Sequence, residues 1–174
     1  MLGQILGMAG FALKGWAGWQ TGRRETLIWM AAGSALLVGG NLLSGLWGIA
    51  AMGVVSTTRN AVYAANRGWP RKVTIPLGIL FAAASSGMYM LVEGVDGGPE
   101  HWLPVAAVLV IAFFQISMNA LTVKLAGFAS GVLWCGAYTV GGAYGMLAGE
   151  AVDALVTGIA AARIWKRRRT HTTA

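Results

Sequence analysis

The sequence predicts an all-α integral membrane protein. Seven transmembrane helices form two parallel three-helix bundles joined by a linker helix. Three observations carry this expectation: long apolar segments, a separation of cations from anions between them, and an internal repeat. Of 174 residues, 56% are hydrophobic and 11% charged, and the mean hydropathy is +0.63. A soluble domain carries about 25% charged residues. Membrane crossings therefore take up nearly the whole length, with no room for a soluble domain.

Crossings are expected at residues 2–19, 26–43, 46–65, 73–92, 102–118, 122–140 and 144–165. Several lie at the short end of the roughly 17–25 residues a spanning helix needs. The first starts at Met1-Leu2-Gly3-Gln4, which lacks the basic stretch of a cleaved signal peptide. Tight glycine turns, Leu43-Ser44-Gly45 and Val140-Gly141-Gly142, join antiparallel neighbours. Pro76 and Pro104 are expected in first helical turns, where a missing N–H is harmless, and Pro70 and Pro99 in loops. The units are then a first bundle over 1–66, a linker helix with its loops over 67–100, and a second bundle with a basic tail over 101–174.

The cations Arg23, Arg24, Arg67, Arg71, Lys72, Lys124, Arg163, Lys166, Arg167, Arg168 and Arg169 all stand at segment ends. With seven crossings they share one side, and Glu93, Asp96 and Glu100 fall on the other. Cytoplasmic loops retain Lys and Arg, so the C-terminus is expected inside and the N-terminus outside a bacterial cytoplasmic membrane. Six crossings would break this agreement. The same placement accounts for the net charge of +7. Anionic headgroups are the expected partner of these cations, and no basic face with interleaved aromatics offers nucleic acid a stacking surface.

Cys135 stands alone, which excludes an internal disulfide or cysteine–metal cluster. His101 and His171 lie in an outer loop and the tail, without metal spacing to other ligands. No nucleophile–base pair is suggested. Neither a cofactor nor an enzymatic activity is expected.

Residues 26–67 align with 122–163 at an offset of 96. Nine positions match: Thr26/Thr122, Ser34/Ser130, Leu37/Leu133, Gly40/Gly136, Gly45/Gly141, Gly53/Gly149, Ala64/Ala160, Ala65/Ala161 and Arg67/Arg163. Composition alone gives roughly four. Three helices plus one linker make an even number, so the halves run the same way through the membrane. That is a parallel repeat about an axis along the membrane normal.

Ionisable groups inside a bilayer are costly and need a reason. Lys14, Arg59, Glu150 and Asp153 are of this kind. In the repeat register Glu150 matches Val54 and Asp153 matches Thr57, and Arg59 lies about 3 Å further along at 1.5 Å per residue. Arg59 is therefore expected to pair with Asp153, Glu150 or both. The two acids share one helix face at i, i+3. The row Gly141, Gly145, Gly149, Asp153 allows close helix approach and turns Asp153 toward protein or a cavity. Such a pair either binds a polar solute or proton, or only fixes helix packing. Lys14 is expected to snorkel toward the headgroups.

Ser56, Thr57, Thr58 and Asn60 make the third segment polar beside Arg59, suited to bonding a solute or bridging helices; Asn41 is a weaker candidate. Trp134 and Tyr138, one turn apart, either stack on a ring-bearing solute or pack. Trp16, Trp19, Trp29, Trp47, Trp69, Trp102 and Trp165 read as interfacial belts. The candidate binding site is Arg59, Glu150 and Asp153, supported by Thr57, Asn60 and Trp134.

Several short motifs occur in order along the chain: Trp19-Gln20 before Gly22-Arg23-Arg24, Gly40-Asn41-Leu42-Leu43, Thr58-Arg59-Asn60-Ala61-Val62, then Gly141-Gly142-Ala143-Tyr144-Gly145 with Glu150. Over most of its length the chain resembles the bacterial inner-membrane YgjV-type family. Its plan of three, one and three helices is similar to that of the SWEET and PQ-loop transporter superfamily. The resemblance implies a cavity lined by the third helix of each half and a role in moving a small solute. The Pro-Gln dipeptide of PQ-loop proteins is absent, and segments one, two, three, six and seven hold no proline, so glycines would have to serve as hinges. The expected function is a facilitator of a small polar solute (sugar, nucleoside or vitamin-like) by alternating access. The alternative is a non-transporting partner or sensor subunit with a structural ion pair. Both bundles lie in one chain, so a complete pore does not require a dimer.

Overall fold

The structure, a computed structural model, describes residues 1–66, 68–94, 98–116, 119–140 and 144–172; the side chains at 99–101, 115 and 170–172 fall outside that description. Arg67, Asp96, Gly141, Gly142 and Ala143, with the side chains of Glu100, His101, Gln115 and His171, thus lie outside the described residues.

Among the described residues seven helices follow one another: α1 (Leu2–Trp19), α2 (Arg23–Leu43), α3 (Trp47–Ala65), α4 (Arg71–Glu93), α5 (Pro99–Gln115), α6 (Ala120–Val140) and α7 (Tyr144–Thr172). The ends differ from expectation in a consistent way. Pro70 is the N-cap of α4, and Pro99 opens α5, where its preset φ favours helix initiation. Both helices therefore start earlier, and Pro76 and Pro104 sit inside them rather than in their first turns. At the other end of the chain α7 runs on through the basic tail, because Lys and Arg are good helix formers and no Gly or Pro interrupts them.

Among the described residues, α2, α4, α6 and the Tyr144–Arg169 part of α7 are long and apolar enough to cross a membrane, and Trp102–Phe114 of α5 is a shorter apolar stretch. Helix α1 carries Lys14, and α3 carries Arg59 with Asn60. Arg59 and Asn60 are buried, and Lys14 is mostly so.

Each helix packs on its neighbours in sequence, and α7 returns to α1, so the helices close a ring. The radial distribution is the reverse of that in a water-soluble protein. Leu80, Leu91, Phe113, Leu125 and Leu155 are more than half exposed on the outside, while Asn41, Arg59, Asn60, Lys124, Ser130 and Glu150 are buried. A bilayer is the solvent that suits such a surface. All seven tryptophans expected in interfacial belts are exposed, whereas Trp134 is only partly so and faces inward.

Glycines set the α1–α2 distance. A Cβ on Gly10 would stand 2.7 Å from Leu37 Cγ and 2.8 Å from the Gly33 carbonyl; one on Gly33 would stand 2.7 Å from the Gly10 carbonyl. The turn from α2 to α3 is the expected one. Gly45 has φ 75°, Leu46 N–H donates to Asn41 O at 2.9 Å, and Gly45 N–H donates to Leu42 O at 3.2 Å, which is a Schellman close. Glu93, at the end of α4, accepts a 2.9 Å bond from Gly48 N–H and so caps the start of α3.

Gly33→Ala should lower the thermal unfolding midpoint in detergent, by roughly 1–3 kcal/mol of overpacking. Gly15→Ala, with no atom within 4 Å of its Cβ position, should leave the midpoint unchanged or raise it. Equal behaviour of the two would mean that the α1–α2 contact is not glycine-limited.

Candidate functional site

A cavity of about 110 Å³ lies inside the ring, lined by side chains of α1, α2, α3, α5, α6 and α7; none comes from α4. Along α2 the lining runs from Thr26 to Asn41, about 22 Å at 1.5 Å per residue. Lys124 stands near one end, and Asn41 and Tyr138 near the other.

The acids of α7 meet a lysine, not an arginine. Lys14 Nζ is 3.0 Å from Glu150 Oε2 and 3.1 Å from Asp153 Oδ2. The expected pairing of Arg59 with Asp153 or Glu150 is not formed. Ring order gives the reason: α1 flanks α7, and α3 has no such seam with it. Nor does Lys14 snorkel, since its side chain is only 15% exposed and that of Glu150 5%. The seam is built for this approach. Phe11 packs directly against Gly149, and a Cβ on Gly18 would stand 2.9 Å from Val156 Cγ1. Gly149 of the expected small-residue row thus serves close packing, whereas Gly145 has open space around it.

Arg59 is 2% exposed and lines the cavity. Its Nε and Nη1 have no hydrogen-bond partner among the described residues, and neither do Asn60 Oδ1 and Asn41 Oδ1, on other lining residues. Buried polar atoms of native proteins are usually satisfied; these four belong to cavity-lining residues, and Asn66 Nδ2, Ser85 Oγ and Ser86 Oγ elsewhere are likewise unpartnered among the described residues. Trp134 also lines the cavity, but its ring is already stacked on Tyr138, with centroids 5.5 Å apart and planes at 27°. Thr57 does not line it: its hydroxyl donates back to Gly53 O at 2.8 Å, as that of Thr58 does to Val54 O at 3.0 Å. The cavity therefore gathers Arg59, Asn60, Trp134, Glu150 and Asp153 of the candidate residues, and leaves Thr57 out.

Two lysines gain roles that the sequence reading did not assign. Lys14 is one. The other is Lys124, read as a cation at a segment end but only 2% exposed. Its Nζ donates to the carbonyls of Ala17 at 3.3 Å and Gly18 at 2.8 Å and to Thr26 Oγ1 at 3.5 Å. It thus caps the last turn of α1, which has no basic residue of its own. Its position inside the segment beginning at 122 was the available signal. Arg23 acts similarly toward α3, donating to Tyr63 O at 3.1 Å.

Lys14→Met should destabilise the protein by about 3–5 kcal/mol, because it strands the buried Glu150 carboxylate and the mostly buried one of Asp153. Adding Glu150→Gln and Asp153→Asn should restore most of the lost thermal midpoint. The exchange Arg59→Asp with Asp153→Arg should rescue neither single variant, and a rescue would put the ion pair back on Arg59.

No curated protein and no solved structure matches the chain. A family model described as Imp-YgjV, bacterial inner membrane protein, matches residues 1–168. An all-helical ring with an apolar exterior and charges turned inward suits such a membrane, and the match covers nearly the entire sequence. The chain belongs to the Imp-YgjV family of bacterial inner membrane proteins.

Proposed function

We propose that this protein is a facilitator of a small polar solute. It works by alternating access between two three-helix bundles, α1–α3 and α5–α7, with α4 as the linker of a SWEET-like plan. The observation that carries the reading is the cavity itself. Six helices line it, α4 is excluded from it, and three of its lining residues carry buried polar atoms that no described residue satisfies. A membrane protein that only scaffolds would gain by packing this region with apolar side chains.

The N-terminus faces outside and the basic end faces the cytoplasm in this reading. Lys124 then bars the cytoplasmic end by joining α6 to α1 and α2, and these contacts must release when the cavity opens inward. The Lys14 ion pairs lie where the two bundles meet and act as a pivot. Rocking of repeats around a fixed central site is a common design of secondary transporters. No catalytic step enters the reading. The cavity volume, smaller than the ~150 Å³ that accommodates benzene in an engineered core, favours solutes below the size of a nucleoside.

One observation favours a second reading, a non-transporting partner subunit. Both acids already contact Lys14, as they would in a purely structural cluster.

A cysteine at Ser56, a cavity-lining position, separates the two in a Cys135→Ser background. A membrane-impermeant thiol reagent should label it in both right-side-out and inverted vesicles, while Leu155→Cys on the exposed outer surface should stay unlabelled. Labelling from one face alone would indicate a receptor-like pocket. Labelling from neither would support the scaffold.

A further inference from the structure

We propose that the cavity receives a small oxyanion, the carboxylate of a short organic acid or a free phosphate, with Arg59 as its receptor. The proposal deepens the transport reading and rests on it for its meaning, though the binding site stands on its own geometry.

The charges around the cavity are unequal. Lys14, Arg59 and Lys124 face Glu150 and Asp153. Both carboxylates are held by Lys14, and Lys124 is satisfied by two carbonyls and a hydroxyl. That leaves the Arg59 guanidinium, 2% exposed, with unpartnered Nε and Nη1 and no ion pair among the described residues. A guanidinium stays protonated in proteins. It cannot escape its desolvation by losing charge, so it needs a counter-ion. One monoanion in the cavity would both pair Arg59 and bring the lining charge to zero.

The chemistry of the ligand follows from the donors. The planar guanidinium matches the two oxygens of a carboxylate or phosphate better than any single hydroxyl. Asn60 Oδ1, one residue along and also unpartnered, can accept an O–H or N–H from the same molecule. A carboxylate with a neighbouring donor, as in a short hydroxy or amino acid, meets both demands; so does a protonated phosphate. A cavity of about 110 Å³, against ~150 Å³ for the six heavy atoms of benzene, limits the solute to no more than about six heavy atoms. The acids of α7 do not expel such an anion, because Lys14 holds both of them and, with Lys124 and Arg59, the lining cations outnumber them by one.

The test uses the intact protein in detergent and four probes: glycolate, lactate, its neutral isostere lactamide, and inorganic phosphate. Titration calorimetry should show saturable binding of the hydroxy acids, of phosphate, or of both, and none of lactamide. Binding of phosphate alone assigns the site to the free inorganic ion, and binding of lactate alone to organic acids; either upholds the oxyanion receptor. Arg59→Gln should weaken the bound anion about tenfold or more, as loss of a charged hydrogen bond does. Arg59→Lys, which keeps the charge without the fork, should fall between. The comparison of lactate with lactamide on the unaltered protein needs no variant, so it survives misfolding of either substitution. Lactamide binding as tightly as lactate, or no anion binding at all, would overturn the proposal. Tracer counterflow of the same solutes in proteoliposomes separates the two readings. An anion that binds but does not cross sinks transport and leaves the receptor. A neutral solute that crosses while no anion binds does the opposite.

Discussion

The ion pairs of Lys14 with Glu150 and Asp153 are the constraint on which the rest of the structure depends. The extensive helix contacts other than that of α1 with α7 join sequence neighbours, and short connections alone would secure them. The contact of α1 with α7 has no such help. It is made by buried charges, by Phe11 against Gly149, and by Gly18 against Val156 and Thr157. Paired charges in a low-dielectric interior gain little net stability over apolar packing, but a wrong partner or none is strongly penalised. The triad therefore selects one arrangement. It turns a row of helices into a closed ring, and a closed ring encloses a cavity.

The same triad decides the electrostatics of that cavity. By taking both acids of α7, Lys14 removes the counter-ions that Arg59 would otherwise find. Arg59 and Asn60 project inward from α3 with unpartnered atoms, across from acids already engaged. The result is an interior that is polar but incomplete. An incomplete polar interior is unfavourable in an inert scaffold and useful in a protein that must bind and release a solute.

Charges at the helix ends tie the ring together a second time. Lys124 satisfies carbonyls at the end of α1, Arg23 one near the end of α3, and Glu93 an N–H at the start of α3. Arg163 lies over the Trp19 ring at 4.3 Å and joins α7 to the end of α1. Each satisfies or contacts another helix rather than its own. Helix termini expose unpaired backbone groups, and apolar surroundings make them expensive. A charge asymmetry that reads in the sequence as membrane topology thus also serves as a set of cross-helix caps.

Much of this was legible along the chain. Apolar length and glycine turns placed the helices to within a few residues, as at Leu43-Ser44-Gly45, apart from the extension of α7 through the basic tail, and the cost of intramembrane charge singled out Lys14, Arg59, Glu150 and Asp153. Order of motifs indicated the family. These features are local or compositional, so the sequence by itself determined them. Partnership was different. Whether Asp153 meets Arg59 or Lys14, and whether Lys124 reaches water or the carbonyls of α1, depends on which helices are neighbours in the ring and how far a four-carbon side chain extends between them. Thr57 shows the same limit on a smaller scale, since its hydroxyl is as polar as its neighbours' but turns back to Gly53. No periodicity within one helix carries that information; only the packing of helices distant in sequence decided it.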